Sequence, residues 1–211
     1  MWSIEKTMRK DISTEAKIKE AAKRVFTNKG FSGCSSREIA KEAGMNVALV
    51  NYYFTSKEQL FNVVFHAVMD DFMLAMKDVF RMKQPLETKV RLFIEREYEF
   101  ITKHPEIPGF IVSEMNRCEP GDSNKQFIMD EIAETGIFEE MHQAQLSGEM
   151  RKIDLLSATL ILMSNCHFPF IAKGLMQEMH HIDDEKYAQQ LVLHKQYVIE
   201  MMIGYLFPAK K

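Results

Sequence analysis

The chain has 211 residues, of which 46% are hydrophobic and 27% are charged, with a formal net charge of −3. This is the composition of an ordinary globular protein with a substantial core, and no apolar run approaches the roughly 20 residues that cross a bilayer, which excludes a membrane-spanning class. The net charge hides an asymmetry, because residues 1–57 contain 11 Lys/Arg and 6 Asp/Glu out of totals of 27 and 30. The resulting +5 in this segment and −8 in the remainder favour attraction of one end of the chain to phosphates, although chance variation between solvated surfaces is the alternative.

The cysteines indicate a reducing environment. Cys34, Cys118 and Cys166 are odd in number and unrelated in spacing, which predicts no disulfide and no metal site. Residues 1–11 are mostly polar and lack the apolar segment of a signal peptide. We therefore expect a cytoplasmic protein that does not act on membranes and needs no cofactor.

The stretch 35–57 predicts two short helices across a tight turn, followed by the start of a third. Ser35 and Glu38 have the spacing of a capping box, and Gly44 stands where a left-handed residue closes a helix. A second helix then extends from Asn46 to about Tyr53. This pattern is typical of a helix-turn-helix, whose second helix lies in the DNA major groove.

An ordered set of residues over 13–60 forms a recognisable pattern. Its members are Ile18, Ala21, Ala22, Phe26, Gly30, Phe31, Ser35-x-x-Glu38-Ile39-Ala40, Ala43-Gly44, Val50-x-x-Tyr53-Phe54 and Ser56-Lys57-Glu58-x-Leu60. With these features, residues 13–60 resemble the DNA-binding domain of the tetracycline-repressor (TetR) family of bacterial regulators. The resemblance implies a helix-turn-helix domain over residues 1–57 and an effector-binding and dimerisation domain over residues 58–211.

The resemblance also implies which residues contact DNA: Ser35, Ser36, Arg37, Asn46, Val47, Ala48, Leu49, Asn51, Tyr52, Tyr53 and Lys57. The first three suit phosphate oxygens, and Lys57 would anchor the DNA backbone. Many relatives carry small polar residues where this chain has Asn46-Val47-Ala48, and a Tyr where it has Asn51. Base reading would then depend on apolar contacts of Val47, Ala48 or Leu49 with thymine methyl groups, and Asn46 or Asn51 would bind base edges or phosphate. Packing is the alternative role for each residue, and it is the expected role of Val50 and Phe54.

The rest of the chain reads as all-α, because no segment alternates with a period of two. A polar arm over residues 1–12 precedes the first helix. We predict helices over 13–28, 56–80, 85–103, 107–118, 125–146, 155–167 and from Asp183 or Asp184 to about Leu206, with Pro169 breaking or kinking the sixth of them.

The last two of these helices are apolar on more than one face, so each needs two neighbours, and one neighbour can be another subunit. The resemblance implies a homodimer in which these helices pair with their copies. The alternative is that they form the core of a monomer. A two-fold dimer suits a palindromic operator, whose half-sites lie one DNA turn, ~34 Å, apart.

In the family, the C-terminal domain holds a small molecule in an apolar cavity. Sixteen Met and 15 Phe are compatible with such a pocket, with core packing as the alternative. Glu97 shares a helical face with apolar residues, so it would either receive a cationic ligand or pair with Arg117. Asn165 and His167 interrupt a later apolar helix, and a satisfied hydrogen bond within the core is the alternative role for each. The candidates are Phe72, Met76, Phe93, Glu97, Met115, Met141, Asn165 and His167.

Two other functions compete with a ligand-controlled regulator. Glu139-x-x-His142 and Glu178-x-x-His181 have the spacing that ferritin-like metal enzymes use, although the second pair lies in a polar stretch before a helix cap. A DNA-binding protein without a ligand is the third possibility. We predict a transcriptional regulator, a repressor rather than an activator, that is not an enzyme; the sequence does not identify its effector, operator or target genes.

Overall fold

The computed structural model describes the backbone of residues 2–208 and the side chains of residues 13–74 and 76–208. Within these residues the chain forms helices and no strand, so the all-α prediction is confirmed. The helices are α1 (Trp2–Lys29), α2 (Ser36–Glu42), α3 (Val47–Tyr53), α4 (Lys57–Arg81), α5 (Leu86–Lys103), α6 (Ile107–Arg117), α7 (Ser123–Ala133), α8 (Ile137–Ser147), α9 (Leu155–Ile171), α10 (Lys173–His180) and α11 (Asp184–Leu206).

The ends of several helices follow from local capping. Asp154 Oδ1 accepts a hydrogen bond from the Ser157 amide at 2.8 Å and so begins α9. Asp183, rather than Asp184, does the same for α11. At the other end of α11, the Arg151 side chain donates to the Tyr205 carbonyl at 2.7 Å, which satisfies one of the carbonyls that a helix end leaves free.

Three features differ from the sequence-based expectations. Helix α1 begins at Trp2, so residues 2–12 extend the first helix rather than forming an arm. The helix predicted over residues 125–146 is two helices, because Gly136 adopts a left-handed conformation with φ +67° that interrupts the hydrogen-bond ladder. Helix α10 occupies a stretch that was predicted to be a polar connection.

The chain divides into two compact units. Unit 1 consists of the chain up to Asp70 together with Gly109–Lys125, and unit 2 consists of Asp71–Pro108 and the chain from Gln126 onward. Helix α4 contributes residues to both units. The domain boundary predicted after Lys57 stays a prediction. The compact units divide the chain differently, because unit 1 includes most of α6 together with the N-terminal helices.

The core of unit 1 is aromatic. Phe61 packs edge-on against Phe26, with the ring centroids 4.9 Å apart, and also contacts the Phe110 ring of α6 at 5.6 Å. Glu114 on α6 is buried, and its carboxylate receives two hydrogen bonds of 2.7 Å from Arg117. These contacts explain why α6 belongs with the N-terminal helices.

The core of unit 2 is formed mainly by α5, α9 and α11. Buried residues from all three helices, such as Ile94, Cys166 and Met202, belong to one apolar cluster. At its edge, the Lys89 ammonium of α5 pairs with the Glu140 carboxylate of α8 at 2.7 Å. Burial of apolar surface in this cluster is the main stabilisation of the unit.

Helices α9 and α10 are strongly bent relative to each other, by 70°. Over the described residues, no single helix combines the length and the apolar composition that a membrane span requires, and only this bent pair meets both criteria together.

Candidate functional site

Helix α2 begins with the predicted capping box. The Ser35 hydroxyl accepts a hydrogen bond from the Glu38 amide at 3.3 Å, and the Glu38 carboxylate accepts one from the Ser35 amide at 2.8 Å. The same carboxylate pairs with the Lys29 ammonium at 2.7 Å. The hydrogen bond from Lys29, followed by those from Ser35, lowers the pKa of Glu38 to about 2.

The turn between α2 and α3 has the geometry that its glycine predicts. Gly44 has φ +67°, and the Met45 amide beyond it donates to the Ala40 carbonyl at 2.8 Å. The Asn46 side chain then caps α3 by accepting a hydrogen bond from the Leu49 amide at 2.8 Å. Helix α3 therefore starts at a defined point and with a defined orientation.

One face of α3 packs and the other faces solvent. Val50 and Phe54 are buried, as expected for their packing role. Ala48, Asn51 and Tyr52 are exposed, and the Tyr52 side chain retains 79% of its accessible surface. An aromatic ring that is this exposed contributes little to the fold, so it is available to a partner.

All eleven residues predicted to contact DNA are accessible to some degree. Six are exposed and five are half-buried, the latter being Ser36, Val47, Leu49, Tyr53 and Lys57. Two of the exposed ones also have an internal role, since Ser35 and Asn46 cap helices. Their contacts with DNA stay predictions.

Lys57 is held by the protein itself. Its ammonium group donates to the carbonyls of Phe31 at 2.8 Å and Cys34 at 3.1 Å, and it lies 4.1 Å from the centre of the Phe31 ring. Lys57 thus secures the loop between α1 and α2, and an ammonium has a third N–H that remains for a phosphate.

Some cations around α2 are neutralised and others are not. Arg24 pairs with Glu42 at 2.8 Å, in addition to the Lys29–Glu38 pair. Arg37 and Lys41 are exposed on α2, and neither makes an ion pair within residues 13–208. Positive charge is therefore available on α2, which packs against α3.

In unit 2, most of the apolar candidates for effector binding are packed into the core. Met76 and Phe93 belong to the buried apolar cluster, and Phe72 and Met141 pack against it. Met115 lies on α6, in unit 1. This agrees with core packing, which was the alternative role for these residues. Their role in effector binding stays a prediction.

Glu97 has an internal partner. It is fully buried, and its Oε1 lies 2.7 Å from His167 Nε2. The predicted pair with Arg117 is wrong, because Arg117 binds Glu114 instead. Within the described residues Glu97 Oε2 has no hydrogen-bond partner. Burial and then the nearby charge of Glu97 raise the pKa of the Cys166 thiol.

A second polar group surrounds the proline of α9. Pro169 has no N–H, so it cannot donate to the Asn165 carbonyl one turn earlier. The Tyr98 hydroxyl of α5 donates to that carbonyl at 2.9 Å, and it also lies 2.6 Å from His194 Nδ1. On the other side, the Tyr187 hydroxyl donates to the Pro169 carbonyl at 2.6 Å.

These partners were missed by the sequence analysis, although a proline within an apolar helix signals that a carbonyl needs an outside donor. The Asn165 side chain donates to the Ile161 carbonyl at 2.7 Å, which is the core hydrogen bond that was offered as its alternative role.

A groove lies between α9, α10 and α11, with a volume of about 470 Å³. It is different from the predicted core pocket, since none of the eight candidate effector residues lines it. The lining residues are Phe168, Pro169, Met176, His180, Ile182, Lys186, Tyr187, Gln190, Leu191 and His194.

The structure does not support the ferritin-like alternative. Across the described residues, no group of three or more His, Cys, Asp or Glu side chains is arranged to hold a metal ion. His181 lies beyond the end of α10 in a left-handed conformation with φ +52°, so it does not continue the helical face of Glu178. Glu139 accepts a hydrogen bond from Gln143 at 2.7 Å.

With this geometry established, comparison with known proteins identifies the N-terminal segment. Residues 18–64 match the family described as bacterial regulatory proteins, tetR family. The probable HTH-type transcriptional regulator YttP of Bacillus subtilis (strain 168) is 56% identical over 46 residues, which cover 22% of each chain. Residues 18–64 therefore form a TetR-family domain. The match thus spans about a fifth of that relative's length.

Solved TetR-family structures share the fold over nearly the whole chain. A TetR family transcription regulator from Marinobacter aquaeolei VT8 has a TM-score of 0.71 at 20% identity, covering 95% of this chain and 98% of that one. AibR, crystallised with isovaleryl coenzyme A and operator DNA, has a TM-score of 0.67 at 19% identity, covering 92% and 98%. These likenesses extend the TetR fold to both units.

Proposed function

We propose that this protein is a sequence-specific DNA-binding regulator of the TetR family that represses transcription and is released by a small molecule, without catalysing a reaction. The observation that carries the proposal is helix α3, which is capped by Asn46, anchored by buried Val50 and Phe54, and exposed at Asn51 and Tyr52. A short helix that is held rigidly on one face and exposed on the other is suited to the major groove.

Phosphate contacts would position this helix. Arg37 and Lys41 supply unneutralised charge on α2, and Ser35, Ser36 and Lys57 lie at the starts of helices, where donors suit phosphate oxygens. Val47, Ala48 and Leu49 would contact thymine methyl groups, while Asn51 would bind a base edge.

We further propose a homodimer formed through α9 and α11. Leu156 and Leu160 on α9, and Tyr197 and Met201 on α11, are large apolar residues that are exposed in the single chain. A monomer rarely exposes that much apolar surface on two adjacent helices, and a second copy would bury it. Two-fold symmetry would then place two copies of α3 on a palindromic operator.

Control by a small molecule is supported by the fold and by one relative. AibR was crystallised with both a coenzyme A thioester and operator DNA. In the present chain, α4 contributes residues to both compact units, so a change in unit 2 has a continuous helix through which to reach unit 1. The three cysteines are free thiols, in keeping with a cytoplasmic location.

Selection of bound duplexes from random DNA tests the function directly, and we expect a palindrome to emerge. In gel-shift titrations on that duplex, Asn51→Ala should weaken binding, and Leu49→Ala should change the preferred bases. Asn28→Ala is the matched control, because Asn28 is in the same unit but donates only to the Arg24 carbonyl of its own helix. If the parent ignores every duplex at low salt, the proposal is wrong.

Sedimentation velocity tests the dimer. Leu160→Asp places a charge in the proposed interface and should yield monomers that bind the operator weakly. Leu146→Asp is the control, since Leu146 is similarly exposed, at 65%, on α8. Equal dimerisation of the two variants would place the interface elsewhere.

A further inference from the structure

We propose that the groove between α9, α10 and α11 is a binding site for an aliphatic carboxylate, whose chain lies along the apolar wall and whose carboxylate meets Lys186. The assignment of this ligand as the effector rests on the proposed function, whereas the binding site itself does not.

The groove is built by the bend between α9 and α10, which follows Pro169 closely. The proline removes one hydrogen bond from the last turn of α9, the helix ends at Ile171, and α10 departs from it at 70°. Tyr98 and Tyr187 hold the carbonyls of Asn165 and Pro169, so the kink is satisfied by hydrogen bonds and has a defined shape. A site held in this way is formed before a ligand arrives, which lowers the entropic cost of binding.

One wall of the groove is apolar. Phe168 and Pro169 of α9, Met176 of α10, and Ile182 and Leu191 line it. Phe168 keeps 53% of its surface exposed, which is unusual for a ring beside a concave surface. An alkyl chain laid against these residues would remove their surface from water, and the volume of about 470 Å³ lies within the range of small-molecule sites.

The lining of the groove also includes one lysine. Lys186 is exposed and makes no ion pair within the described residues, and no carboxylate is among the described residues that line the groove. Two nearby carboxylates are engaged, because Asp184 pairs with Lys173 and Asp183 caps α11. Glu185, directly before Lys186, is exposed and does not line the groove. An anionic group is therefore favoured beside Lys186, and Gln190 is one turn further along the same helical face to donate a second hydrogen bond.

The far end of the groove is uncharged. The Tyr98 hydroxyl has one proton, which it donates to the Asn165 carbonyl, so His194 Nδ1 must carry the proton shared between the ring and the Tyr98 oxygen. Burial lowers the pKa of His194, which keeps its ring neutral. The end at His194 thus suits the tail of the ligand, and the end at Lys186 suits its head, about 12 Å away at 1.5 Å per residue.

Isothermal titration of the full chain, without DNA, tests the site. We expect octanoate, used below its critical micelle concentration, to bind once per chain and more tightly than octan-1-ol. Lys186→Met keeps the alkyl stem and removes the charge, so it should weaken octanoate about fivefold and leave octan-1-ol unchanged. Lys195→Met, on the same helix but outside the groove, is the matched control.

Three outcomes would overturn the proposal. Octan-1-ol binding as tightly as octanoate would show that the groove does not distinguish a carboxylate from a hydroxyl group. Unchanged octanoate binding in Ile182→Trp, a variant whose thermal melt reports folding, would place the ligand elsewhere. A rise in the dimer dissociation constant of Lys186→Met, with no octanoate binding to the parent, would assign the groove to a second copy of the chain.

The same titrations separate this proposal from the proposed function. If octanoate binds as expected and the chain ignores every duplex, the regulator is refuted and the groove stands. If the chain binds its operator and octanoate binds without releasing it, the carboxylate site stands and its assignment as the effector site is wrong.

Discussion

The hydrogen bonds around Pro169 allow a sharp test of how unit 2 is stabilised. Tyr98 is 2% exposed, and its hydroxyl lies within hydrogen-bond distance of the Asn165 carbonyl and of His194 Nδ1. Tyr98→Phe removes the hydroxyl and leaves the Asn165 carbonyl and His194 Nδ1 without this partner, beside a buried ring at the edge of the groove. Since an unsatisfied buried polar group costs about 1–3 kcal/mol, we expect the free energy of unfolding to fall by about 2–3 kcal/mol.

A double-mutant cycle shows whether the bond to Asn165 replaces the one that Pro169 cannot make. Pro169→Ala restores an N–H, which can donate to the Asn165 carbonyl within the helix. In that background, Tyr98→Phe should cost about 1 kcal/mol less than in the parent.

Urea unfolding followed by circular dichroism, at one fixed protein concentration because the chain is expected to dimerise, measures all four proteins. Tyr52→Phe is the control, since Tyr52 is 79% exposed and the same substitution there should change the free energy by less than about 0.5 kcal/mol. An equal cost of Tyr98→Phe in both backgrounds would refute the reasoning, because the hydroxyl would then not be compensating for the proline.

Three further predictions concern Lys57, Glu38 and Gly44. Lys57→Met should lower the free energy of unfolding by about 1–2 kcal/mol in urea titrations, because two loop carbonyls lose a charged donor. The same substitution should reduce the salt dependence of DNA binding. An unchanged salt dependence would show that Lys57 has a structural role alone. Because the pKa of Glu38 is about 2 rather than the ordinary 4.5, its carboxylate stabilises the fold above pH 4.5, and this stabilisation is lost as the pH falls from 4.5 to 2. Acidification should therefore lower the free energy of unfolding of the parent more than that of Glu38→Gln. Parallel curves of unfolding free energy against pH would contradict this. Gly44→Ala should lower the free energy of unfolding by about 1 kcal/mol, because Gly44 has φ +67°. Gly174→Ala, in a helix with open space around the residue, should raise it by about 0.5–1 kcal/mol. A change of the same sign in both variants would show that backbone strain does not decide the effect.

Several features of helices α2 and α3 could be predicted because they depend on neighbouring residues. The capping box at Ser35, the left-handed Gly44 and the cap at Asn46 are each formed within about four residues, and the structure has all three. The break at Gly136 depends on equally local geometry, and it was missed because the apolar pattern continues through it.

The polar partners in unit 2 could not be predicted in the same way. The sequence shows that Glu97 interrupts an apolar face and so needs a partner, but Arg117 and His167 are equally plausible when only their residue types are known. Packing of α5 against α9 selects His167, which is 70 residues away in sequence.

The amino-acid sequence by itself determined the all-α class and the helix-turn-helix, because periodicity, caps and glycine conformations depend on residues within one or two turns of each other. Only the tertiary structure decided that Glu97 pairs with His167 and that tyrosine hydroxyls bind the backbone carbonyls around Pro169. It also decided where α9, α10 and α11 leave a groove. The physical reason is that a buried polar group must find a partner, and the fold determines which of several distant candidates lies within about 3 Å of it.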